Sequence, residues 1–193
     1  MTEQLQLDFD KIIKTSNISK KNIDSKRNHL KKFIESGFPN RKQEDWKFLD
    51  ISQIIKKNIT NLSFFNDYSL PNKIDSSIFI DGLEHNKIIF INGRIEKVDF
   101  SYEEKNNIEI DDAINTELKF ENENSLIDLN QAFTNKVFKI KIKKNYSLKK
   151  PLMIYHTTNE KIKSKNINLR LDFELEQNSS LRLIDIFTDS ADK

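Results

Sequence analysis

The sequence predicts an α+β fold that is mainly β, with a helical amino-terminal region ahead of a series of short strands. Through about residue 60 the apolar residues recur at spacings of three and four, which is typical of one face of a helix. After residue 85 they recur at a spacing of two, which is typical of strands with one buried face. We therefore expect a helical region with an extended connector at residues 1–85 and the strands at 86–193.

The composition is that of a chain able to build a core. Hydrophobic residues make up 36% of the 193 residues and include 14 phenylalanines, which argues against wholesale disorder. The 32 basic and 30 acidic side chains leave a net charge of only +2. A protein that binds nucleic acid normally carries a clear basic excess, so this balance disfavours that function.

The chain contains no cysteine. Disulfides, thiol nucleophiles and metal sites built from the chain's own thiolates are therefore excluded. The stretch MTEQLQLDFDKIIK lacks the apolar core of a signal peptide, and no apolar run approaches the roughly 18 residues of a membrane span. We expect a soluble, cytoplasmic protein.

Two helices are predicted before residue 40. Leu5, Phe9 and Ile12 share one face of the first. The second covers residues 19–36, and Gly37 follows it at the position of a C-terminal cap.

A third short helix is predicted at residues 50–57, with Asp50 as its N-cap. Residues 61–75 have no clean period and are interrupted by Pro71. We interpret them as an extended connector with buried aromatic residues.

Strands are predicted in the second half of the chain. The run at 87–95 contains Asn92-Gly93, a strong signal for a tight turn. Residues 136–148 alternate strictly, with apolar side chains on one face and lysines 139, 141 and 143 on the other. Further strands are predicted at 151–158, 166–177 and 180–187. The spacing of about 12 to 15 residues fits a sandwich, a barrel or a β-solenoid, and periodicity does not choose among them.

The three histidines, His29, His85 and His156, have no spacing typical of metal ligation, and we expect structural or solvated roles for them. Of the three, His156 between Tyr155 and Thr157 is the strongest candidate for a functional role.

Two acidic clusters are present, Glu109 with Asp111 and Asp112, and Glu121 with Glu123. A two-carboxylate hydrolase needs only that its acids meet in space, but 30 acids make such pairs common by chance. We expect these acids to lie on solvated faces. The lysine runs are interrupted by acids or asparagines, and glycine-rich phosphate loops and Gly-x-Ser-x-Gly motifs are absent from the sequence.

The stretch SGFPNRKQEDWKFLD, residues 36–50, allows two interpretations. In one, its charged residues form an ionic recognition site. In the other, which we favour, the helix ends at Gly37 and both Phe38 and Trp46 pack into the core. The charged residues concerned are Arg41, Lys42, Glu44 and Asp45.

Part of that stretch, GFPNRKQEDWKF, resembles the signature G-[FL]-P-x-R-[KR]-x-E-x-W-[KR]-[FY] of the SufD branch of the SufB/SufD family, the scaffold proteins of iron–sulfur cluster assembly. Four later blocks resemble segments of the same family in the same order: IIFINGRIE (88–96), LIDLNQAF (126–133), residues 138–156, and NINLRLDFELEQNSSLRLIDIF (166–187).

This resemblance implies a helical amino-terminal region followed by the first coils of a right-handed parallel β-helix. It also implies a non-catalytic scaffold subunit that acts with a SufB-like paralogue and a SufC-like ATPase, without nucleic acid or membrane. ATP hydrolysis then belongs to the ATPase, and the iron–sulfur cluster is handled by the full complex. No cofactor is expected on this chain, and no residue of it is assigned a catalytic, cofactor-binding or metal-binding role.

Proteins of this family are about twice as long, so the resemblance implies an amino-terminal portion that ends inside the β-helix. The contacts with the two partners are then expected beyond residue 193. An incomplete β-helix exposes an unpaired edge, which predicts self-association, for example as a homodimer, or fraying of the carboxy terminus. Two alternatives are a β-helix protein that acts on carbohydrate and a module that binds polyanions through the lysine face.

Overall fold

The structure, a computed structural model, describes residues 2–15, 18–58, 64, 78–114, 124–134, 136–158 and 165–189. The elements in chain order are α1 (Thr2–Thr15), α2 (Lys20–Ser36), α3 (Ile51–Asn58), β1 (Asn86–Ile91), β2 (Arg94–Asp99), β3 (Ile108–Ile114), α4 (Ser125–Phe133), β4 (Lys136–Ile142), β5 (Leu152–Thr158), β6 (Arg170–Leu175) and β7 (Leu183–Asp189). Within the described residues, every helix is too short or too polar to cross a membrane.

The chain divides into two compact units, each assembled from three segments. The first comprises Met1–Phe65, Ala113–Val137 and Ser164–Arg170, and the second comprises Asn66–Asp112, Phe138–Lys163 and Leu171–Lys193. The sequence-based boundary between residues 85 and 86 stays a prediction.

Local capping signals set the ends of helix α2. The side chain of Ser19 accepts a hydrogen bond from the amide of Asn22 at 3.3 Å and so caps the first turn. At the other end Gly37 adopts a positive φ of 69°, and its amide donates to the carbonyl of Phe33 at 2.7 Å. With a ψ of −167° this backbone conformation is open almost only to glycine, so the helix ends at the predicted residue.

Helices α3 and α4 are capped in the same way. The amide of Gln53 donates to the carboxylate of Asp50 at 3.0 Å, which confirms the predicted N-cap of α3. The amide of Leu126 donates to the side chain of Asn124 at 3.0 Å at the start of α4. This helix coincides with the block at 126–133 in the sequence.

The core of the first unit is built from aromatic and aliphatic residues of its helices. Phe9 packs edge-on against Phe133 with ring centroids 6.1 Å apart. Phe64 stacks on the same ring at 3.7 Å. Phe64 is the one described residue of the connector predicted at 61–75, and its burial matches that prediction; the rest of the connector lies outside the described residues. The buried members of the core are Leu5, Phe9, Ile12, Leu30, Phe33, Phe38, Phe64, Leu129, Ala132 and Phe133.

A tight hairpin opens the second unit. Strands β1 and β2 pair antiparallel, and the turn residues Asn92 and Gly93 have positive φ values of 52° and 78°. These dihedral signs are those of the type I′ turn that Asn-Gly favours, so the predicted hairpin is confirmed.

The hairpin belongs to a mixed sheet with the order β2-β1-β5-β7. Strand β5 pairs parallel with both β1 and β7. All residues of β5 from Leu152 to Tyr155 are buried, as is usual for a central parallel strand covered on both faces.

A second sheet has the order β3-β4-β6. In β4, Phe138, Ile140 and Ile142 are buried while Lys139 and Lys141 are partly exposed, which confirms the predicted alternation. The predicted strand at 166–177 is shorter than expected, because β6 begins at Arg170.

The observed fold is therefore α+β, with helices at the amino terminus followed by sheets that include both strand directions. The described strands form two open sheets and no closed barrel. The parallel β-helix implied by the family resemblance stays a prediction.

Candidate functional site

Among the described strands, β6 lies at one edge of the β3-β4-β6 sheet and β7 lies at one edge of the β2-β1-β5-β7 sheet. Several of their apolar side chains face solvent: Leu175 is 49% exposed, Leu183 is 44% exposed and Phe187 is 75% exposed. We call this surface the open end. An edge strand with exposed apolar side chains is a place where another strand can pair.

The turn between β6 and β7 is hydrogen bonded to the turn between β4 and β5. The hydroxyl of Ser180 donates to the hydroxyl of Ser147 at 2.7 Å. The amide of Ser180 donates to the carbonyl of Tyr146 at 3.2 Å, and the amide of Leu148 donates to the carbonyl of Ser180 at 3.0 Å. The open end is therefore held by paired backbone rather than by side chains alone.

An aromatic stack runs across the parallel strands to the open end. The ring of His156 stacks on Phe90 at 5.2 Å and on Phe187 at 4.5 Å, nearly parallel to both. The Nε2 atom of His156 lies 2.7 Å from a carboxylate oxygen of Asp185. These contacts hold the ring of His156 in place, while Phe187 is exposed among the described residues.

The outer face of the β3-β4-β6 sheet carries alternating charge. Lys141 lies 3.1 Å from Glu174 and 2.7 Å from Glu176, and Lys143 lies 3.0 Å from Glu109. The hydrogen bonds that the Lys141 ammonium donates to the carboxylates of Glu176 and Glu174 raise the pKa of Lys141 above its ordinary value. Hydrogen bonds from the Lys141 ammonium and the Lys144 amide lower the pKa of Glu176.

These ion pairs bear on the lysine face predicted from the sequence. Lys141 and Lys143 are each matched by acids on a neighbouring strand, so the positive field of this face is largely cancelled. Glu109, Asp111 and Asp112 are exposed on β3, which fits the solvated face expected for that cluster. Glu121 and Glu123 lie outside the described residues.

A buried carboxylate, Glu103, organises the entry to β5. It accepts hydrogen bonds from the side chain of Asn86 at 2.7 Å and from the Tyr146 hydroxyl at 2.7 Å. The backbone amides of Lys149 and Lys150 donate to it at 3.1 and 3.0 Å. Burial alone would raise the pKa of Glu103, but these four donors outweigh it and hold the pKa below its ordinary range. This is the arrangement of a structural anchor.

The other two histidines also have structural partners. His29 Nδ1 lies 2.7 Å from an oxygen of Asp128. His85 Nδ1 lies 2.6 Å from the carbonyl of Leu83, and its Nε2 lies 2.9 Å from the Tyr155 hydroxyl. Among the described residues, groups of three or more histidine, aspartate or glutamate side chains suited to hold a metal are absent.

The stretch 36–50 is where a prediction from sequence is wrong in part. Phe38 is buried and packs edge-on against Phe33 at 5.0 Å, as expected. Trp46 lies in a short 3-10 helix, Glu44–Trp46, with no buried residue, and is only half-buried. Phe38 directly follows the cap of α2 and joins the core cluster, whereas Trp46 lies eight residues later in a segment whose neighbouring residues are exposed. The four charged residues singled out there are exposed, and Glu44 pairs with Lys47 at 2.8 Å.

Lys26 is a buried cation that sequence reasoning did not single out. Its ammonium contacts the carbonyls of Gln131 and Ala132, each at 3.4 Å, and that of Thr134. Burial lowers the pKa of Lys26 to about 8. Because these carbonyls end helix α4, the lysine acts as a C-terminal cap and joins α2 to α4.

Comparison of the chain with protein-family models gives no match. Comparison with curated proteins gives no significant match.

Proposed function

We propose that the protein is a non-catalytic scaffold subunit of the SufD kind, acting in a complex that assembles iron–sulfur clusters. The observation that carries the proposal is the order of the five sequence blocks that resemble that family. The block at 88–96 lies on the β1–β2 hairpin, the block at 126–133 on helix α4, and the last two on the strand pairs β4–β5 and β6–β7.

The proposal includes a right-handed parallel β-helix of which these strand pairs are the first coils. Two features support it. Strand β7 follows β5 in parallel register, and Ser147 forms a parallel bridge with Ser180 in the connecting turns. A repeated strand–turn–strand unit that contacts mainly its neighbours is the building principle of a solenoid.

In such a complex the iron–sulfur cluster is cargo that passes through the assembly. Nascent clusters are most often held by thiolates, and this sequence contains no cysteine. We therefore propose that this chain contributes binding surfaces, while ligands for the cluster and the ATPase activity come from partner subunits.

The polyanion-binding alternative is disfavoured by the paired state of Lys141 and Lys143. A binding face for phosphates or sulfates needs cations whose charge is not already matched. The carbohydrate alternative has no described feature in its favour beyond exposed acids.

The test is co-purification. The full-length gene is co-expressed with the SufB-like and SufC-like genes of the same genome, with an affinity tag on its product only. The proposal predicts that all three polypeptides elute together through affinity and size-exclusion steps. An unrelated tagged protein of similar size serves as the control. Elution of the full-length product without either partner would contradict the assignment.

A further inference from the structure

A cleft opens in the second unit beside the hairpin. Its lining comes from the end of β2, from the short 3-10 helix Lys105–Asn107 and from the start of β3, all within one continuous described segment. The cleft has a volume of about 300 Å³. Pockets for small molecules usually measure roughly 300 to 1,000 Å³, so this cleft has room for a small ligand.

The walls of the cleft are mainly apolar. Val98, Phe100, Ile108 and Ile110 contribute to them. Phe100 is buried, but the two isoleucines are only half-buried and Val98 is 42% exposed. A ligand with a hydrocarbon body that covers these surfaces removes apolar area from water, which favours binding.

Asp99 also lines the cleft, but its charge is already matched. Its carboxylate accepts a hydrogen bond from the Ser101 amide at 3.1 Å, and Lys87 lies opposite it on β1. Burial alone would raise the pKa of Asp99, but the hydrogen bonds from Ser101 and the positive charges of Lys87 and Lys97 outweigh it and lower the pKa. Asp99 therefore needs no cationic ligand to balance its charge.

Lys105 is a cation at the cleft whose charge is not matched in this way. It is exposed, and the part of the chain that the structure describes contains no acidic partner for it. Two other lysines of this unit, Lys149 and Lys150, are paired with Glu104 and Glu84. A cation without a partner beside apolar walls attracts an anion, because its positive field is not cancelled.

The acids on β3 do not oppose an anion in the cleft. Glu109 and Asp111 alternate with the two lining isoleucines, so they lie on the opposite face of the strand. Glu109 pairs there with Lys143 at 3.0 Å. The charge that a ligand meets inside the cleft is therefore that of Lys105.

We propose that this cleft binds a small carboxylate with an apolar body, of the size of a fatty acid of medium length. The carboxylate contacts the ammonium of Lys105, and the apolar body lies against Val98 and the two isoleucines. A single unmatched cation suits one negative charge better than a phosphate monoester, which carries nearly two at neutral pH. The inference is independent of the proposed scaffold function, because it rests on the residues of the cleft alone.

The test titrates the full chain with octanoate and follows the backbone amides in nitrogen–proton correlation NMR spectra. Octanoate is expected to bind saturably and to shift the amides of residues 98–101 and 105–110. Octanol has the same tail without the charge and is expected to bind about fivefold more weakly, the effect of one ion pair at a surface. Acetate lacks the tail and octylammonium carries the opposite charge, so neither is expected to approach saturation.

Two variants locate the ligand. Lys105→Gln is expected to weaken octanoate binding about fivefold and to leave octanol binding unchanged. Val98→Asp places a negative charge on the apolar wall and is expected to abolish octanoate binding. Both substituted side chains are exposed, so the variants are expected to keep the spectrum of the folded chain. Lys32→Gln, at an exposed lysine of α2 that does not line the cleft, is the matched control and leaves binding unchanged.

Three results would overturn the proposal. The first is equal affinity for octanoate and octanol, or tighter binding of octylammonium. The second is octanoate binding that Lys105→Gln does not weaken. The third is a titration in which octanoate shifts no amide of the cleft.

Discussion

Asn178 donates a hydrogen bond from its side-chain amide to the side-chain oxygen of Asn145, 3.1 Å away and 33 residues earlier in the chain. The two residues also share a left-handed backbone, with φ values of 59° and 61°. Asparagine tolerates this conformation better than other non-glycine residues. The turns after β4 and after β6 are therefore equivalent in conformation and stacked side by side.

Glu103 is expected to make the stability of the fold depend on pH in the acid range. Its pKa is lowered in the folded chain, so its stabilising contribution is present above the ordinary carboxyl pKa and is lost as the pH falls through the folded value. At pH 7, Glu103→Gln should lower the free energy of unfolding by about 2 kcal/mol, because the four hydrogen-bond donors around Glu103 lose a charged acceptor. Urea unfolding from pH 7 to pH 3 measures this, and the difference from wild type should shrink toward pH 3.

Glu104→Gln is the matched control for that experiment. Glu104 is exposed and pairs with Lys149 at 3.1 Å, so its replacement should cost less than about 0.5 kcal/mol. Equal losses for the two variants would contradict the anchoring role of Glu103.

Lys26 is expected to make the stability of the fold depend on pH in the alkaline range. Because its folded pKa is lowered to about 8, the unfolded chain holds this proton more tightly than the folded chain. The stability of wild type relative to Lys26→Met should therefore rise as the pH increases from about 8 toward 10. Thermal or urea unfolding of both proteins across this range gives the difference. Lys31→Met, at an exposed position of the same helix, should show no such trend.

Phe38 and Trp46 are expected to differ in how strongly they anchor the stretch at 36–50. Phe38→Ala should cost about 3 kcal/mol, since it empties a buried aromatic position. Trp46→Ala should cost about 1 kcal/mol, because the indole is only half-buried. Denaturant midpoints of the two variants decide the order, and a larger loss for Trp46→Ala would show that the indole is the main anchor.

Gly37 tests the backbone requirement at the end of α2. Nothing lies within 4 Å of the position that a β-carbon would occupy, so a substitution meets no steric clash with neighbours. Gly37→Ala and Gly37→Asn should each still cost about 1 to 3 kcal/mol, because a φ of 69° with a ψ of −167° is open almost only to glycine. Urea unfolding measures both variants, and a variant as stable as wild type would show that this backbone conformation does not require glycine.

Sequence predicted best what is decided locally. The ends of α2 and α3 follow from Ser19, Gly37 and Asp50, each of which acts on residues within one helical turn. The Asn92-Gly93 turn likewise fixes the hairpin. Strand β3 escaped prediction because exposed acids interrupt its pattern, although an edge strand tolerates them well.

What escaped prediction depends on residues far apart in the chain. Glu103 meets Tyr146 and the amides of Lys149 and Lys150, which lie 43 to 47 residues later. Lys26 meets carbonyls more than 100 residues away. No spacing in the sequence marks such a pair, because each polar residue finds its partner only after the chain has folded.

The equivalence of the two turns is the central claim, since both the coil arrangement and the open end follow from it. The hydroxyls of Ser147 and Ser180 lie 2.7 Å apart. The natural sequence contains no cysteine that could compete with two cysteines introduced at these positions. The double variant Ser147→Cys with Ser180→Cys should therefore form one intramolecular disulfide under mild oxidation, seen by mass spectrometry of the non-reduced peptides. A variant that stays reduced, or that forms only intermolecular crosslinks, would contradict the stacked turns.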